Sequence, residues 1–304
     1  MQKLVVVLGT NASGKSDLGV RLAGHFGGEI VSADSRQVYR GLDLGSGKIT
    51  PAQAAAVKHH LIDVADVSEY YSLAQYQRAA YNASDSIALA GKMPFLVGGT
   101  GLYVSAIVEG YQLVDVPPND PLRTELESLP LPQLVERLEN TDPAAAGRID
   151  RSNRRRLIRA IEVAAAGHGH AAAHEKSPRY NCLQLGLTWP REILVERIEK
   201  RLRERLAGGM IEEVAELRSR GVSDVRLEKL GLEYRYVARY LRRELRTLDD
   251  LRTQLGIAIR QFAKEQLTWF KRDGRIIWLD PRTDCFRQAC RCIREWEAPN
   301  ALIV

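Results

Sequence analysis

The feature that most constrains the fold of this chain is a glycine-rich turn that follows an apolar run near its start. The apolar residues 4–8 lead directly into Gly9, Thr10, Asn11, Ala12, Ser13, Gly14, Lys15 and Ser16. This spacing of glycine, lysine and serine is typical of a phosphate-binding loop between a β-strand and an α-helix, whose backbone N–H groups surround phosphate oxygens. We therefore predict that residues 9–16 form a P-loop and bind a di- or triphosphate.

Two side chains of this loop carry the expected ionic chemistry. Lys15 supplies a positive charge to the terminal phosphate, and the hydroxyl of Ser16 is a ligand for Mg²⁺. Mg²⁺ is thus the predicted cofactor, with Ser16 as its protein ligand. The loop alone leaves open whether the bound phosphate is transferred, hydrolysed or released.

The first third of the chain alternates short apolar runs with helical patterns. Strands are predicted at residues 4–8, 29–32, 60–64 and 94–97, and helices at 15–26, 72–89 and 102–109. Such alternation predicts an α/β fold, a P-loop-containing parallel sheet flanked by helices.

A proline-rich stretch at residues 114–121 interrupts this alternation and is followed by helical patterns to about residue 167. A strand at residues 183–187, further helices and a short strand at 276–279 complete the chain. We therefore predict a catalytic core formed by residues 1–113 and 181–304, with an all-helical insertion domain at 114–180.

Charge is distributed unevenly along the 304 residues. Residues 1–110 contain nine Lys/Arg and nine Asp/Glu, so the formal net charge of +6 arises beyond them. A neutral core with a basic remainder favours a polyanionic partner, with a solvated basic surface as the equal alternative. No apolar run reaches the roughly 18 residues of a membrane span, no signal peptide precedes the first strand, and the cysteine spacing indicates reduced thiols. These features predict a cytoplasmic protein.

Polar residues follow the predicted strands where a ligand of a parallel sheet would bind. Asp34 follows the second strand, and Thr100 lies in the turn Gly98-Gly99-Thr100-Gly101 after the fourth. Asp34 could hold Mg²⁺ through water, accept a proton from a nucleophile, or cap the following turn. Thr100 could lie beside Asp34 or only allow a helix to pack closely.

Arginines are concentrated in the later part of the chain. Arg197, Arg201 and Arg205 share one helix face at four-residue spacing, so one of them can reach a diphosphate or all can form surface ion pairs. Further clusters fit contacts with a nucleic-acid backbone or a solvated surface; they comprise Arg148, Arg151, Arg154, Arg155, Arg156 and Arg159, then Arg235, Arg239, Arg242, Arg243 and Arg246, and finally Arg260, Gln261, Lys264, Gln266, Trp269, Lys271 and Arg272.

Several blocks of this sequence resemble the bacterial tRNA dimethylallyltransferases, in the family's order and over roughly nine-tenths of the chain. They are Gly9 to Ser16, Ser32 to Gly45 (with Asp-Ser-Arg-Gln-Val-Tyr), His59 to Asp63, Leu96 to Tyr103 (with Gly-Gly-Thr-Gly-Leu-Tyr), Arg159 to Val163, and Arg260 to Phe270. The blocks around Asp34 and Thr100 are far more specific than the P-loop.

The resemblance implies transfer of a dimethylallyl group from dimethylallyl diphosphate to N6 of the adenine that adjoins the anticodon on its 3′ side. The implied substrates are tRNAs that read codons beginning with U, bound through the anticodon stem-loop. The P-loop would then hold the diphosphate as a leaving group. No membrane and no obligate protein partner are implied.

The resemblance also implies roles for individual residues. Asp34 corresponds to the general base, Arg201 to the diphosphate-contacting arginine and Thr100 to the active-site threonine near the target base. The implied tRNA contacts are Asp34, Ser35, Arg36, Gln37, Thr100, Arg123, Arg155, Arg156, Leu157, Ile158 and Arg159.

The chain departs from the family pattern at a few positions. Lys58 replaces the usual proline before His59-His60, and Gly231-Leu232-Glu233-Tyr234 replaces the commoner Gly-Tyr-Lys/Arg pattern. Two other activities remain alternatives. An adenylate dimethylallyltransferase would use a free nucleotide as acceptor, and a P-loop small-molecule kinase would consume ATP.

Overall fold

The apolar run near the start of the chain is the central strand of a parallel sheet. The computed structural model describes residues 1–169 and 176–298, and within them β1 (Gln2–Gly9) is fully buried from Leu4 to Leu8. A strand that is covered on both faces is apolar at every position rather than at alternate ones, which explains the unbroken run.

Six parallel strands form the sheet, in the order β3-β2-β4-β1-β5-β6. The other strands are β2 (Glu29–Ser32), β3 (His59–His60), β4 (Pro94–Gly98), β5 (Tyr180–Leu187) and β6 (Ile277–Leu279). The predicted fold class, a parallel P-loop sheet flanked by helices, is confirmed. The loops that follow β1, β2 and β4 lie at one edge of the sheet because these strands are adjacent and parallel.

The three helices predicted at residues 15–26, 72–89 and 102–109 are confirmed to within one residue at each end. Fourteen helices occur in the described residues. They are α1 (Lys15–His25), α2 (Pro51–Ala56), α3 (Leu73–Leu89), α4 (Gly101–Val108), α5 (Asp120–Ser128), α6 (Leu131–Thr141), α7 (Pro143–Ala146), α8 (Arg154–Ala165), α9 (Arg191–Ala207), α10 (Met210–Ser219), α11 (Asp224–Lys229), α12 (Leu232–Leu241), α13 (Leu248–Phe270) and α14 (Cys285–Glu297).

The strand predicted at residues 60–64 is wrong beyond His60. Leu61 and Asp63 have φ angles of 63° and 56°, in the left-handed region, and this ends the extended conformation. The backbone N–H groups of Asp63 and Val64 donate instead to the carbonyls of Gln37 and Val38. Leu61 is buried whereas Val64 is 42% exposed, and the sequence pattern cannot distinguish such a segment from a strand.

The chain divides into two compact units. The core unit comprises residues 1–71, 79–104 and 180–298, and the helical unit comprises 72–78, 105–169 and 176–179, in each case within the described residues. Parts of the predicted insertion domain (170–175) and of the predicted catalytic core (299–304) lie outside the described residues. Among the helices described, none is both long and apolar enough to cross a bilayer.

The helical unit has its own apolar core. Leu126, Leu134, Leu138 and Leu157 are fully buried there, contributed by α5, α6 and α8. Asn119 and Asn153 cap α5 and α8, each accepting a hydrogen bond from a backbone N–H three residues later. These side-chain caps satisfy donors that a helix start otherwise leaves free.

Candidate active site

The loop between β1 and α1 has the backbone geometry of an anion-binding loop. Ala12 and Gly14 have φ angles of 59° and 93°, both left-handed. A Cβ atom on Gly9 would lie 2.6 Å from the carbonyl oxygen of Leu187 and 2.8 Å from Oγ of Ser13, so only glycine fits there. Left-handed residues within such a turn bring successive N–H groups to one concave side. This geometry supports the predicted phosphate-binding role of residues 9–16.

Two side chains near the start of α9 form hydrogen bonds to backbone carbonyls of this loop. Nε of Arg197 donates to the carbonyl of Ala12 at 2.8 Å, and Nε1 of Trp189 donates to the carbonyl of Ser13 at 2.9 Å. The Arg197 guanidinium also stacks on the Trp189 ring at 4.6 Å from its centroid. Arg197 therefore stabilises the backbone of the P-loop, a role that differs from those of Arg201 and Arg205 on the same helix face.

Three cations lie together beside the P-loop: Lys15, Arg201 and Arg205. Nζ of Lys15 donates to the carbonyl of Thr10 at 3.1 Å. Burial, followed by the charge of Arg201, lowers the Lys15 pKa to about 8, although Asp34 opposes this shift. Burial and the charge of Arg205 lower the Arg201 pKa to about 10. A cluster whose positive charges raise each other's energy is stabilised by a polyanion.

Asp34 follows β2 and is anchored through one of its oxygens. Its Oδ1 accepts hydrogen bonds from the backbone N–H groups of Arg36 and Gln37, at 2.8 and 3.4 Å. Within the described residues no protein donor bonds to its second oxygen, Oδ2. The capping interpretation is therefore correct for Oδ1 and does not occupy Oδ2. The charge of Asp34 acts on both Lys15 and Arg201, which places it beside the cation cluster.

Thr100 joins the loops that follow β2 and β4. Its Oγ1 accepts a hydrogen bond from the backbone N–H of Ser35 at 3.0 Å, and its own N–H donates to the carbonyl of Ala33 at 3.1 Å. Gly98 must be glycine at this crossing because an added Cβ would overlap Ala33. The structure thus brings Thr100 next to the Asp34 loop, which is the first of the two alternatives that the sequence left open.

Gln266 on α13 is a site residue that the sequence analysis placed in a basic surface cluster. It is buried instead. Its Oε1 accepts from the backbone N–H of Asn11 at 2.8 Å, and its Nε2 donates to the carbonyl of Gly99 at 2.8 Å. Trp269, one turn further on, packs against Gly101. Gln266 lies on the same helix face as the buried residues Ile259, Ala263 and Phe270, so the helical period is the signal that could have found it.

The neighbours of Asp34 are largely engaged within the protein. Nη1 of Arg36 donates to the carbonyl of Lys229 at 3.1 Å. Gln37 is buried, with Nε2 donating to the carbonyl of Gly47 at 3.1 Å and Oε1 accepting from Ser32 at 3.3 Å. Ser35 contacts Thr100 through both its N–H and its hydroxyl. Their expected contacts with tRNA remain predictions.

Two arginines of the helical unit are held by a buried carboxylate. Nε and Nη2 of Arg123 bond to the two oxygens of Glu162 at 2.7 and 2.9 Å, and Arg159 lies 3.5 Å from the same carboxylate. Burial of Glu162 opposes its ionisation, but the hydrogen bonds of Arg123 and of the Asn119 N–H, with the charges of Arg123 and Arg159, outweigh it and lower the Glu162 pKa. Arg123 and Arg159 thus stabilise the fold of this unit.

The remaining predicted tRNA contacts of the helical unit differ in exposure. Leu157 and Ile158 are buried in its core, whereas Arg155 and Arg156 are exposed. Arg148 is exposed as well, and within the described residues none of these three guanidinium groups forms a hydrogen bond or an ion pair, although the charge of Arg156 acts on Asp150. They are the groups of the cluster that are available to an external anion.

A parallel sheet with this loop geometry, cation cluster and adjacent carboxylate defines a P-loop protein with a site for a phosphorylated ligand. The comparisons with known proteins are more specific. The family model described as IPP transferase matches residues 37–273. The chain is 43% identical to the tRNA dimethylallyltransferase 2 of Shewanella sediminis over 96% of this chain and 98% of that one. It is 44% identical to the tRNA dimethylallyltransferase 2 of Citrifermentans bemidjiense over 94% and 93%.

Solved structures give the same result. The chain resembles the tRNA isopentenylpyrophosphate transferase of Bacillus halodurans with a TM-score of 0.72 and 36% identity, covering 98% of this chain and 96% of that one. A eukaryotic dimethylallyltransferase shares the fold, with a TM-score of 0.82 at 23% identity over 98% and 80% of the two chains. The chain belongs to the IPP transferase family, which confirms the resemblance seen in its motifs and makes it a prenyltransferase.

Proposed function

We propose that this protein transfers a dimethylallyl group from dimethylallyl diphosphate to N6 of an adenine in tRNA and releases diphosphate. The proposed acceptor adjoins the anticodon on its 3′ side, in tRNAs that read codons beginning with U, and the proposed site of action is the cytoplasm. Relatives of 43 and 44% identity over nearly the whole chain are named for the tRNA reaction. The observation that carries the proposal is a carboxylate with one unengaged oxygen, Asp34, beside a buried cation cluster on a P-loop.

Departure of the diphosphate is the step that the cation cluster assists. The allylic C–O bond breaks, and its electron pair leaves with the diphosphate oxygen. Lys15 and Arg201 are positioned where this negative charge increases, and preorganised positive groups lower the energy of such a transition state. In this reaction the P-loop retains a leaving group, and no phosphoryl group is transferred.

Formation of the new bond requires a proton acceptor. The adenine N6 attacks the allylic carbon with its lone pair, and the N6 proton moves to a carboxylate oxygen of Asp34. Because Oδ1 is held by two backbone N–H groups, Oδ2 is the oxygen available for this proton. Thr100, fixed against the same loop, lies where it can position the base. The adenine must leave its stack to enter the site.

Mg²⁺ is proposed to bind with the diphosphate. Ser16 presents a half-buried hydroxyl at the first turn of α1 as the proposed protein ligand. Mg²⁺ prefers oxygen ligands and commonly combines one or two protein groups with phosphate oxygens and water, so this small donor set fits it. The bound ion would neutralise charge on the diphosphate. No cluster of three or more His, Cys, Asp or Glu suited to a metal occurs in the described residues.

Binding of tRNA is proposed to involve the exposed arginines of the helical unit. Arg148, Arg155 and Arg156 are exposed, and in the part of the chain described their guanidinium groups form no hydrogen bond or ion pair. Guanidinium groups of this kind contact phosphates, which give affinity without sequence specificity. Arg123 and Arg159 would support this surface through Glu162.

The test of this function is mass analysis of nucleosides from an anticodon stem-loop RNA incubated with the protein, Mg²⁺ and dimethylallyl diphosphate. We expect dimethylallyl adenosine to appear, together with one equivalent of diphosphate. A matched RNA with guanosine in place of the target adenosine should give no product. An equal rate with AMP would identify an adenylate dimethylallyltransferase instead, and a requirement for ATP would identify a kinase.

A further inference from the structure

Arg205 lies one turn beyond Arg201 on α9 and is too buried for an ordinary surface ion pair. Only about 14% of its side chain is exposed. Its Nη1 donates to the carbonyl of Gly45 at 3.2 Å and to Oε1 of Glu233 at 3.2 Å, which direct the guanidinium towards the loop after β2. These contacts fix a charged group at the edge of the cation cluster.

Gly47 shows how close the two arginines of the cluster are. A Cβ atom on Gly47 would overlap the guanidinium groups of both Arg201 and Arg205. Gly47 also has a φ of 62°, a left-handed conformation in which glycine is favoured. The absence of a side chain at residue 47 therefore allows the two guanidinium groups to lie side by side.

Two guanidinium groups placed together repel each other, and this repulsion affects the pKa values of the cluster. After burial, the charge of Arg205 is the next contribution that lowers the Arg201 pKa, and Arg205 also acts on Lys15. Within the described residues Arg201 forms no protein hydrogen bond that would offset this cost. The charges of Glu233, Asp34 and Asp17 offset part of this repulsion, and an anion of more than one charge between the cations would offset more of it.

The loop that receives Arg205 is itself rigidly held. Glu213 accepts hydrogen bonds from the backbone N–H groups of Asp43, Leu44 and Gly45, at 3.2, 2.6 and 3.1 Å. The buried hydroxyl of Tyr234 donates to Glu213 at 2.8 Å. These hydrogen bonds hold in place the loop whose Gly45 carbonyl is the acceptor for Arg205.

We propose that Arg205 is a second diphosphate-binding arginine, that it acts together with Arg201, and that Glu233 positions it. Glu233 lies in the segment that departs from the usual family pattern, and the structure gives that departure a role as the partner of Arg205. The inference rests on the proposed function in that the anion is taken to be the diphosphate of an allylic donor.

The experiment measures binding of inorganic pyrophosphate, in the presence of Mg²⁺, by titration calorimetry. Arg205→Met should weaken binding roughly tenfold or more because a charge-assisted pair of hydrogen bonds is lost. Arg203→Met is the matched control: it removes an exposed arginine from the same helix and should change the affinity less than about twofold. Equal affinities of the two variants would overturn the proposal.

Glu233→Gln tests the proposal through an expected increase in pyrophosphate affinity, opposite to the loss expected for Arg205→Met. The amide oxygen still accepts from Arg205, while a negative charge beside the anion site is removed, so pyrophosphate should bind more tightly, by roughly threefold. If Glu233 and Arg205 only stabilised the fold, both variants would lower the unfolding temperature and leave the pyrophosphate affinity unchanged. That result would refute the proposal.

Arg205→Lys is a second variant that tests the proposal even if Arg205→Met does not fold. It keeps the charge but loses the planar fork, so an intermediate loss of affinity is expected. Assays of prenyl transfer on the wild-type protein separate this inference from the proposed function. Pyrophosphate binding that depends on Arg205 without transfer to tRNA would contradict the function alone, and transfer with unaltered binding in Arg205→Met would contradict the inference alone.

Discussion

The side-chain oxygen of Gln266 accepts a hydrogen bond from the backbone N–H of Asn11, 255 residues earlier in the chain, at 2.8 Å. The amide nitrogen of the same side chain donates to Gly99, in the turn that carries Thr100. One glutamine therefore ties the P-loop, which would hold the leaving group, to the turn that would position the acceptor. Its contribution to catalysis is expected to be geometric.

We predict that Gln266→Met lowers kcat by roughly tenfold or more and changes the KM for tRNA less than about twofold. The substitution removes both hydrogen bonds at similar volume, and small displacements of reacting groups have large effects on rate. Gln261→Met, at an exposed position of the same helix, is the control in a steady-state assay. Equal kcat values for the two variants would show that this tie has no catalytic role.

Replacement of Asp34 by asparagine separates its two oxygens. The amide oxygen can still accept from the N–H of Arg36, but the side chain can no longer take a proton. We expect turnover to fall by at least about 10²-fold while tRNA affinity is retained. Asp66 accepts from the N–H of Ser68 in the same way, so Asp66→Asn is the matched control. A parallel loss of binding and rate would make Asp34 a structural residue.

Binding of diphosphate should depend on pH through Lys15. Its pKa of about 8 in the free protein should rise when a polyanion binds, because the charged form is then stabilised. Binding above pH 8 therefore requires uptake of a proton, and the affinity for pyrophosphate should fall by up to about tenfold per pH unit. Below pH 8, Lys15 is already charged and the dependence disappears.

Lys15→Arg provides the reference curve for this measurement. Arginine stays protonated throughout the range, so the ionisation of pyrophosphate itself is the main change that remains. The quantity to compare is the difference between the two pH profiles, measured by calorimetry from pH 7 to 9. Superimposed profiles would mean that Lys15 does not titrate in this range.

The exposed arginines of α8 should determine the salt dependence of tRNA binding. We predict that the double variant Arg155→Gln/Arg156→Gln reduces the magnitude of the slope of log affinity against log salt concentration by about 1.4 to 1.8. Arg220 and Arg252, each paired with an acid on its own helix, give a control with the same loss of charge. A slope shared by both double variants would exclude this surface as the phosphate contact.

The fold and the centre of the site could be predicted from the sequence, because local spacing determines them. The P-loop, Asp34 and Thr100 each follow a strand, and parallel strands bring their ends together. The strand beyond His60 could not be excluded in this way. Its left-handed residues, Leu61 and Asp63, are held by hydrogen bonds to residues 37 and 38, and such tertiary contacts leave no period in the sequence.

The distinction between exposed arginines and structural ones could not be predicted from the sequence either. Arg155, Arg156 and Arg159 are close neighbours in the sequence, yet Arg159 lies against Glu162 and the other two are exposed. The helical period places residues 155 and 159 on one side, but it gives no indication of a carboxylate buried beneath only one of them. Arg123, the other partner of Glu162, is 39 residues away in the chain.

The position of β1 between β4 and β5 has a consequence for the order in which the protein is made. Gly9 packs against Leu187, and the carbonyls of Ala12 and Ser13 are held by Arg197 and Trp189. These partners are synthesised long after the turn itself, since Trp189 follows Ser13 by 176 residues and Arg197 follows Ala12 by 185. The phosphate-binding turn is therefore translated well before the residues that hold it, and its structure is completed only when they emerge.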